Sequence, residues 1–262
     1  MRRSKQLINH VGELTINYLL TVGQLTLMSG RAYAVIRKAP LYIRQIIDEF
    51  IYIGRYSLPI IIVTAIFMGL VLGIQIGTQI SAGTPPWVEG GLILRSTLLE
   101  MGPIIMGLVL AGRVGAGISS ELAAMKVTEQ IDALRIMGID PIEFLVMPRL
   151  MAGMIAIPVL IIYADSLAII SGFISSHFTI GLTWPGFVKG MRHVFVPTDA
   201  YTSVIKGHIF GVIIVLMSCF FGMNSNRGAT GVGTATTNTV IWSSITILVL
   251  DYILSAILYF IW

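Results

Sequence analysis

The residues that could do chemistry in this sequence are charged side chains set inside apolar runs. Arg95, Glu100 and Arg113 fall within 92–118, Asp165 within 148–176, Lys206 and His208 near the start of 202–222, and Asp251 within 240–261. A charge at the middle of a bilayer costs about 2.5–3.5 kcal/mol on insertion scales, so each should face protein or a water-filled cavity. If the second run starts near residue 92, Glu100 lies about 12 Å deep at ~1.5 Å per residue. Pro103, three residues on, opens the local hydrogen-bond ladder and bends the span. Lys206 is a candidate counter-charge for Glu100, and Arg95 is the nearer one in sequence. Such a set can act as a buried ion pair that fixes packing, or as a polar wall for an amphiphile's headgroup. With Asp165 and Asp251 it could also relay protons or ions.

Other chemistries lack their residues. His10, His177, His193 and His208 have no metal-ligand spacing, and Cys219 is the sole cysteine, so neither a zinc cluster nor a disulfide framework is expected. No Walker A, H-E-x-x-H or G-x-S-x-G pattern occurs, and no Gly-Lys dipeptide exists anywhere in the chain. No metal or cofactor is expected, and the chain does not read as an enzyme. If it performs work, the energy must arrive through contact with a partner.

The elements that would hold these charges are membrane spans. Hydrophobic residues make up 55% of the 262 and charged residues only 11%, against about 25% charged in a soluble domain; mean hydropathy is +0.87. The expectation is an all-α integral membrane protein, one domain over 1–262, with about five spans of roughly 20 residues. They are placed at about 56–80, 92–118, 148–176, 202–222 and 240–261. Leu7, Val11, Leu14, Tyr18, Val22 and Leu25 recur at helical spacing. They form an amphipathic helix that either lies on the membrane face or packs on the spans. A second short helix, about 40–52, should lead into the first span as an elbow.

Before residue 56, Arg2, Arg3, Lys5, Arg31, Arg37, Lys38, Arg44 and Arg55 face only Glu13, Asp48 and Glu49. The positive-inside rule therefore puts the N-terminus in the cytoplasm, and the net charge of +4 is a topology signal rather than a sign of nucleic-acid binding. Residues 177–200 are mixed and read as interfacial, and 224–239 as a small polar loop.

Between spans two and three the chain turns polar. Ser119 or Ser120 can cap a helix over about 121–137, Gly138 can supply the left-handed residue after it, and Pro141 stops it from resuming. Ala124, Val127, Ile131 and Leu134 form one stripe; Thr128, Glu129, Asp132 and Arg135 form the other. The first stripe can rest on the bundle and leave the second to meet a soluble partner. In the first span Gly69, Gly73 and Gly77 share the spacing at which helix backbones approach closely. Leu72, Ile76, Gln79 and Ile80 lie on or beside that face.

The run LLEMGPIIMGLVLAGRVGAGISSELAAMKVTEQIDALRIMGIDP at 98–141 resembles the signature of the MlaE/YrbE family, the permeases of MCE-type phospholipid ABC transporters. MGLVLGIQ at 68–75 and LDYIL at 250–254 also fit. The resemblance implies a bacterial inner-membrane homodimer that moves phospholipid and contributes to outer-membrane lipid homeostasis. It implies an ATPase subunit below, a periplasmic MCE-domain protein above and, in proteobacteria, a STAS-domain protein on the ATPase.

The polar helix would then be the coupling helix, with Glu121, Lys126, Glu129, Asp132 and Arg135 as its ATPase contacts. Leu72, Ile76, Gln79, Ile80, Glu100 and Lys206 would border the lipid cavity between two copies. Asp251 falls in a family-like string and reads as structural. Relatives carrying an arginine directly before the glutamate differ from this chain, which has Leu99 there. Two rival readings are an ion-coupled secondary transporter and a structural membrane anchor.

Overall fold

The computed structural model describes residue 20 and residues 22–80, 84–226 and 228–261. The expected N-terminal amphipathic helix falls mostly on residues 1–19, outside that set. A helix α1 spans 22–35, and a 3-10 turn, Ile36–Tyr42, leads to α2, Ile43–Gln79. Then come α3 (Val88–Ser96), α4 (Gly102–Leu110), α5 (Ala116–Val127), α6 (Gln130–Ile136), α7 (Met147–Ile180), α8 (Trp184–Val194), α9 (Pro197–Met223) and α10 (Ala229–Ile261). No strand occurs among the described residues. Five helical segments are long and apolar enough to cross a membrane. The chain is an all-α, multi-pass integral membrane protein.

We call the end holding α6 and the start of α2 the base, and the end holding α8 the top. The centre is α7, which runs along α2 on one side and α9 on the other. Glycine makes the first of these contacts possible. A methyl group on Gly69 would overlap the Ala168 carbonyl oxygen and Ser171 Oγ, and one on Gly73 would crowd the Gly172 carbonyl and Ser175. The stripe foreseen at Gly69, Gly73 and Gly77 thus packs within one copy of the chain, against α7 and, at Gly77, the Glu89 carboxylate. Large apolar side chains such as Phe67, Val63, Ile155 and Val159 point outward and stay exposed, as a lipid-facing surface requires.

Five expectations need correction. The elbow helix over 40–52 is not separate, because α2 is continuous from Ile43. The break sits earlier, at the 3-10 turn containing Pro40, where proline withholds a backbone donor. The polar helix over 121–137 is two helices. Span two stays helical into α5, and the chain breaks only at Thr128 and Glu129, where Glu129 adopts φ 60°.

Neither serine caps a helix, since Ser119 is buried inside α5 and Ser120 Oγ donates to the Gly117 carbonyl. The apolar stripe is turned as well. Ala124 is exposed while Leu122 and Ala123 are buried, and only Ile131 and Leu134 of the foreseen set are inside. Finally, most of the loop expected over 224–239 is helix. Thr234, Thr236, Thr237 and Thr239 return their hydroxyls to carbonyls three or four residues back, so small polar residues continue the helix instead of ending it.

Candidate functional site

Span two is not a uniform α-helix. Wide π-type turns at Thr97–Met101 and Ala111–Gly115 interrupt it, a feature that often marks functional positions. Pro103 explains what the first turn offers. It has no N–H to give to the carbonyl of residue 99, four positions earlier, and Lys206 Nζ donates to that Leu99 oxygen at 2.6 Å.

Lys206 is fully buried. Its other two hydrogen bonds go to Glu100 Oε2 at 3.0 Å and Ser255 Oγ at 2.8 Å. Ser255 Oγ in turn donates to Glu100 Oε1 at 2.8 Å, and Asp251 Oδ1 stands 2.9 Å from Nζ as an ion-pair neighbour. The ammonium has three N–H donors, and all three are engaged.

Three elements meet at this lysine: the π turn of span two, α9 and α10. Glu100 lies about 18 Å from the start of α3, Lys206 about 14 Å from the start of α9, and Asp251 about 15 Å from the end of α10, at ~1.5 Å per residue. All therefore sit near the middle of a hydrocarbon layer roughly 30 Å thick. The charges are not equally hidden. The Glu100 side chain is 42% exposed and lines a cavity of about 500 Å³ with Arg95, Leu99, Asp199, Thr202 and Ser255. At its rim Arg95 Nε pairs with Asp199 Oδ2 at 3.4 Å, with 53% of the arginine side chain exposed. Arg95 is thus the partner of Asp199, and Lys206 is the partner of Glu100.

Leu72 is inside the protomer's main core, and Ile76 packs with Ile93, Leu182 and Phe187 near the top. Gln79 is exposed and Ile80 half-buried at the top of α2. None of these four lines the cavity that Glu100 faces.

At the base, Lys126 Nζ binds Asp132 across the break at 3.0 Å, and Arg135 Nη1 reaches the same carboxylate at 3.2 Å. Glu129 is exposed at the left-handed position. Glu121 turns the other way, to Arg149 Nη2 at 2.8 Å. Beyond these, Ile136 and Met137 protrude at the end of α6, 88% and 64% exposed.

Several of these residues gave no warning in the sequence. Arg149 looked like a residue at the edge of span three, yet it is buried and also meets Glu49 at 3.0 Å. Glu89 falls between the first two expected spans. It is fully buried and accepts from Ser176 Oγ at 2.6 Å. Asp165, until here only a candidate relay acid, is buried and accepts from Ser203 Oγ at 2.7 Å. A methyl on Gly102 would overlap its other oxygen, so this carboxyl fills the space beside the π turn.

The Permease MlaE family model matches residues 46–257. A probable ABC transporter permease protein of Rickettsia felis is 37% identical over 96% of this chain and 97% of its own length. The intermembrane phospholipid transport system permease protein MlaE of Haemophilus influenzae is 30% identical, again over 96% of this chain and 97% of its own. The chloroplast protein trigalactosyldiacylglycerol 1 of Arabidopsis thaliana is 30% identical over 88% of this chain and 66% of its own length. With the matched region covering span one through span five, the chain belongs to the MlaE permease family of ABC transporter membrane subunits.

Proposed function

We propose that the chain moves phospholipids between the bacterial inner membrane and a periplasmic MCE-protein pathway, and so supports outer-membrane lipid asymmetry. The observation that carries this reading is the cavity faced by Glu100 at mid-membrane depth, a polar wall on an otherwise apolar bundle. Such a wall suits the head of an amphiphile whose tails stay among apolar side chains. The name of the Haemophilus relative supports phospholipid as the cargo.

A cavity of about 500 Å³ is too small to enclose a whole two-tailed lipid, which favours a homodimer with the cavity completed by a second copy. Gln79 and Ile80, at the top of α2, would border the joint space on the other copy's side with Ile76 beneath them, while Leu72 is taken up by the protomer's own core. The base, with the α5–α6 break, is the seat for a cytoplasmic ATPase. Glu121, Lys126, Glu129, Asp132 and Arg135 lie on or beside that seat, and a STAS-domain protein would bind the ATPase rather than this chain. The N-terminus is then cytoplasmic, and α8 faces the periplasm and the MCE-domain partner.

Native mass spectrometry of the complex purified from membranes tests the assignment. It should show two copies of this chain with ATPase subunits and bound phospholipid. A lone chain that moves solute under an ion gradient would instead establish the secondary-transporter reading.

A further inference from the structure

We infer that the cavity selects phospholipids with an amine head, and that Glu100 receives the ammonium while Arg95 meets the phosphate. The inference rests on the phospholipid-transport reading and adds the substrate class. It begins with a charge count. Glu100 and Asp251 are two carboxylates against the single ammonium of Lys206. Among the described residues no other cation forms an ion pair with either acid, and the residue before Glu100 is the apolar Leu99. Arg95 and Asp199 balance each other. The wall of the cavity thus carries one negative charge in excess, at a depth where an uncompensated charge is costly. A guest cation at Glu100 removes that excess; a guest anion adds to it.

Geometry decides which group the guest meets. Lys206 has no exposed surface and no donor left over, so it cannot bind a headgroup phosphate without abandoning Glu100, Ser255 or the Leu99 carbonyl. Its role is to hold Glu100 in place.

Glu100 is the charged member of the cluster that looks into the cavity, with 42% of its side chain exposed. Each of its oxygens accepts one recorded hydrogen bond, from Ser255 and from Lys206. A carboxylate offers about four lone-pair sites, so acceptor capacity remains for an ammonium. Arg95 lies five residues earlier on the same span, about 7.5 Å along the axis at ~1.5 Å per residue, and its half-exposed guanidinium is the cation available to a phosphate. An ethanolamine head, with its amine two carbons from the phosphate ester, can bridge these two groups. A glycerol head offers only hydroxyls to Glu100.

The test compares lipids retained by the complex. Complex reconstituted in nanodiscs of equimolar phosphatidylethanolamine and phosphatidylglycerol is extracted, and the retained lipid is quantified by mass spectrometry. Wild type should retain phosphatidylethanolamine over phosphatidylglycerol by about tenfold, the effect of one charge-assisted hydrogen bond. Glu100→Gln keeps the Ser255 hydrogen bond and leaves Lys206 balanced by Asp251, so it should fold and lose most of the preference. Glu100→Asp, which keeps the charge, should restore part of it. Arg95→Ala should reduce retention of both lipids alike.

Equal retention of the two lipids by wild type, or an unchanged ratio in Glu100→Gln, overturns the amine assignment and leaves phospholipid transport standing. Wild type that retains neither lipid overturns the transport reading itself.

Discussion

Arg149 Nη2 lies 2.8 Å from Glu121 Oε1, and this contact ties the lower end of span two to the root of α7. The arginine is buried and also meets Glu49 on α2 at 3.0 Å. One guanidinium thereby gathers three elements just above the α5–α6 break. Arg149→Met should destabilise the protein by up to about 3 kcal/mol, because breaking a buried pair strands its partners. Glu121→Gln should cost less than about 1 kcal/mol, since that carboxylate is half exposed. Thermal unfolding of the two purified variants checks the order.

Lys206 offers a sharper comparison, because its removal leaves Glu100 and Asp251 facing each other without a cation. Lys206→Met should be among the most destabilising single changes in the bundle. Adding Asp251→Asn should recover part of the loss, since neutralising a stranded partner relieves the unpaired charge. A second substitution that lowers stability further would show that the two residues are not coupled.

Glu129 carries backbone strain in a non-glycine residue, with φ 60° at the break between α5 and α6. The left-handed conformation costs an L-residue roughly 1–2 kcal/mol. Glu129→Gly should therefore raise stability by about 1 kcal/mol, where a solvent-exposed helix interior would lose a similar amount. Denaturant unfolding distinguishes these signs directly.

Close approach of α2 and α7 predicts a contrast between two glycines on the same helix. A side chain at Gly73 meets the Gly172 carbonyl and Ser175, whereas Gly54 has open space around it. Gly73→Leu should cost at least about 1–3 kcal/mol from overpacking and reduce the yield of folded protein. Gly54→Ala should be neutral or stabilising by up to about 1 kcal/mol. Thermal stability in detergent measures both.

Much of the fold was legible because the bilayer simplifies the problem. Long apolar runs had to be spans, and Pro103 announced the irregular turn that frees the Leu99 carbonyl for Lys206. The cost of a lone charge called for a partner to Glu100 but left Lys206 and Arg95 both as candidates, and the structure selects Lys206. What escaped notice depended on distance in three dimensions. Arg149 finds Glu49 a hundred residues earlier in the chain, and Glu89 finds Ser176 on α7; neither pairing has a local pattern. Helix ends were misjudged where serine and threonine were read as caps and loops. In this apolar setting Ser120 and Thr239 bond back to their own helix.

The most direct measurement of the central claim is phospholipid transfer by the reconstituted complex, with and without ATP, in wild type and in the double variant Ile136→Asp, Met137→Asp. These two side chains protrude from the base, 88% and 64% exposed, so their replacement should leave the fold and the bound lipid intact. The account predicts ATP-dependent transfer by wild type and at least about a tenfold loss in the double variant, from weakened seating on the ATPase at a buried apolar contact. Transfer that proceeds equally without ATP, or that the double variant performs as well as wild type, would contradict it.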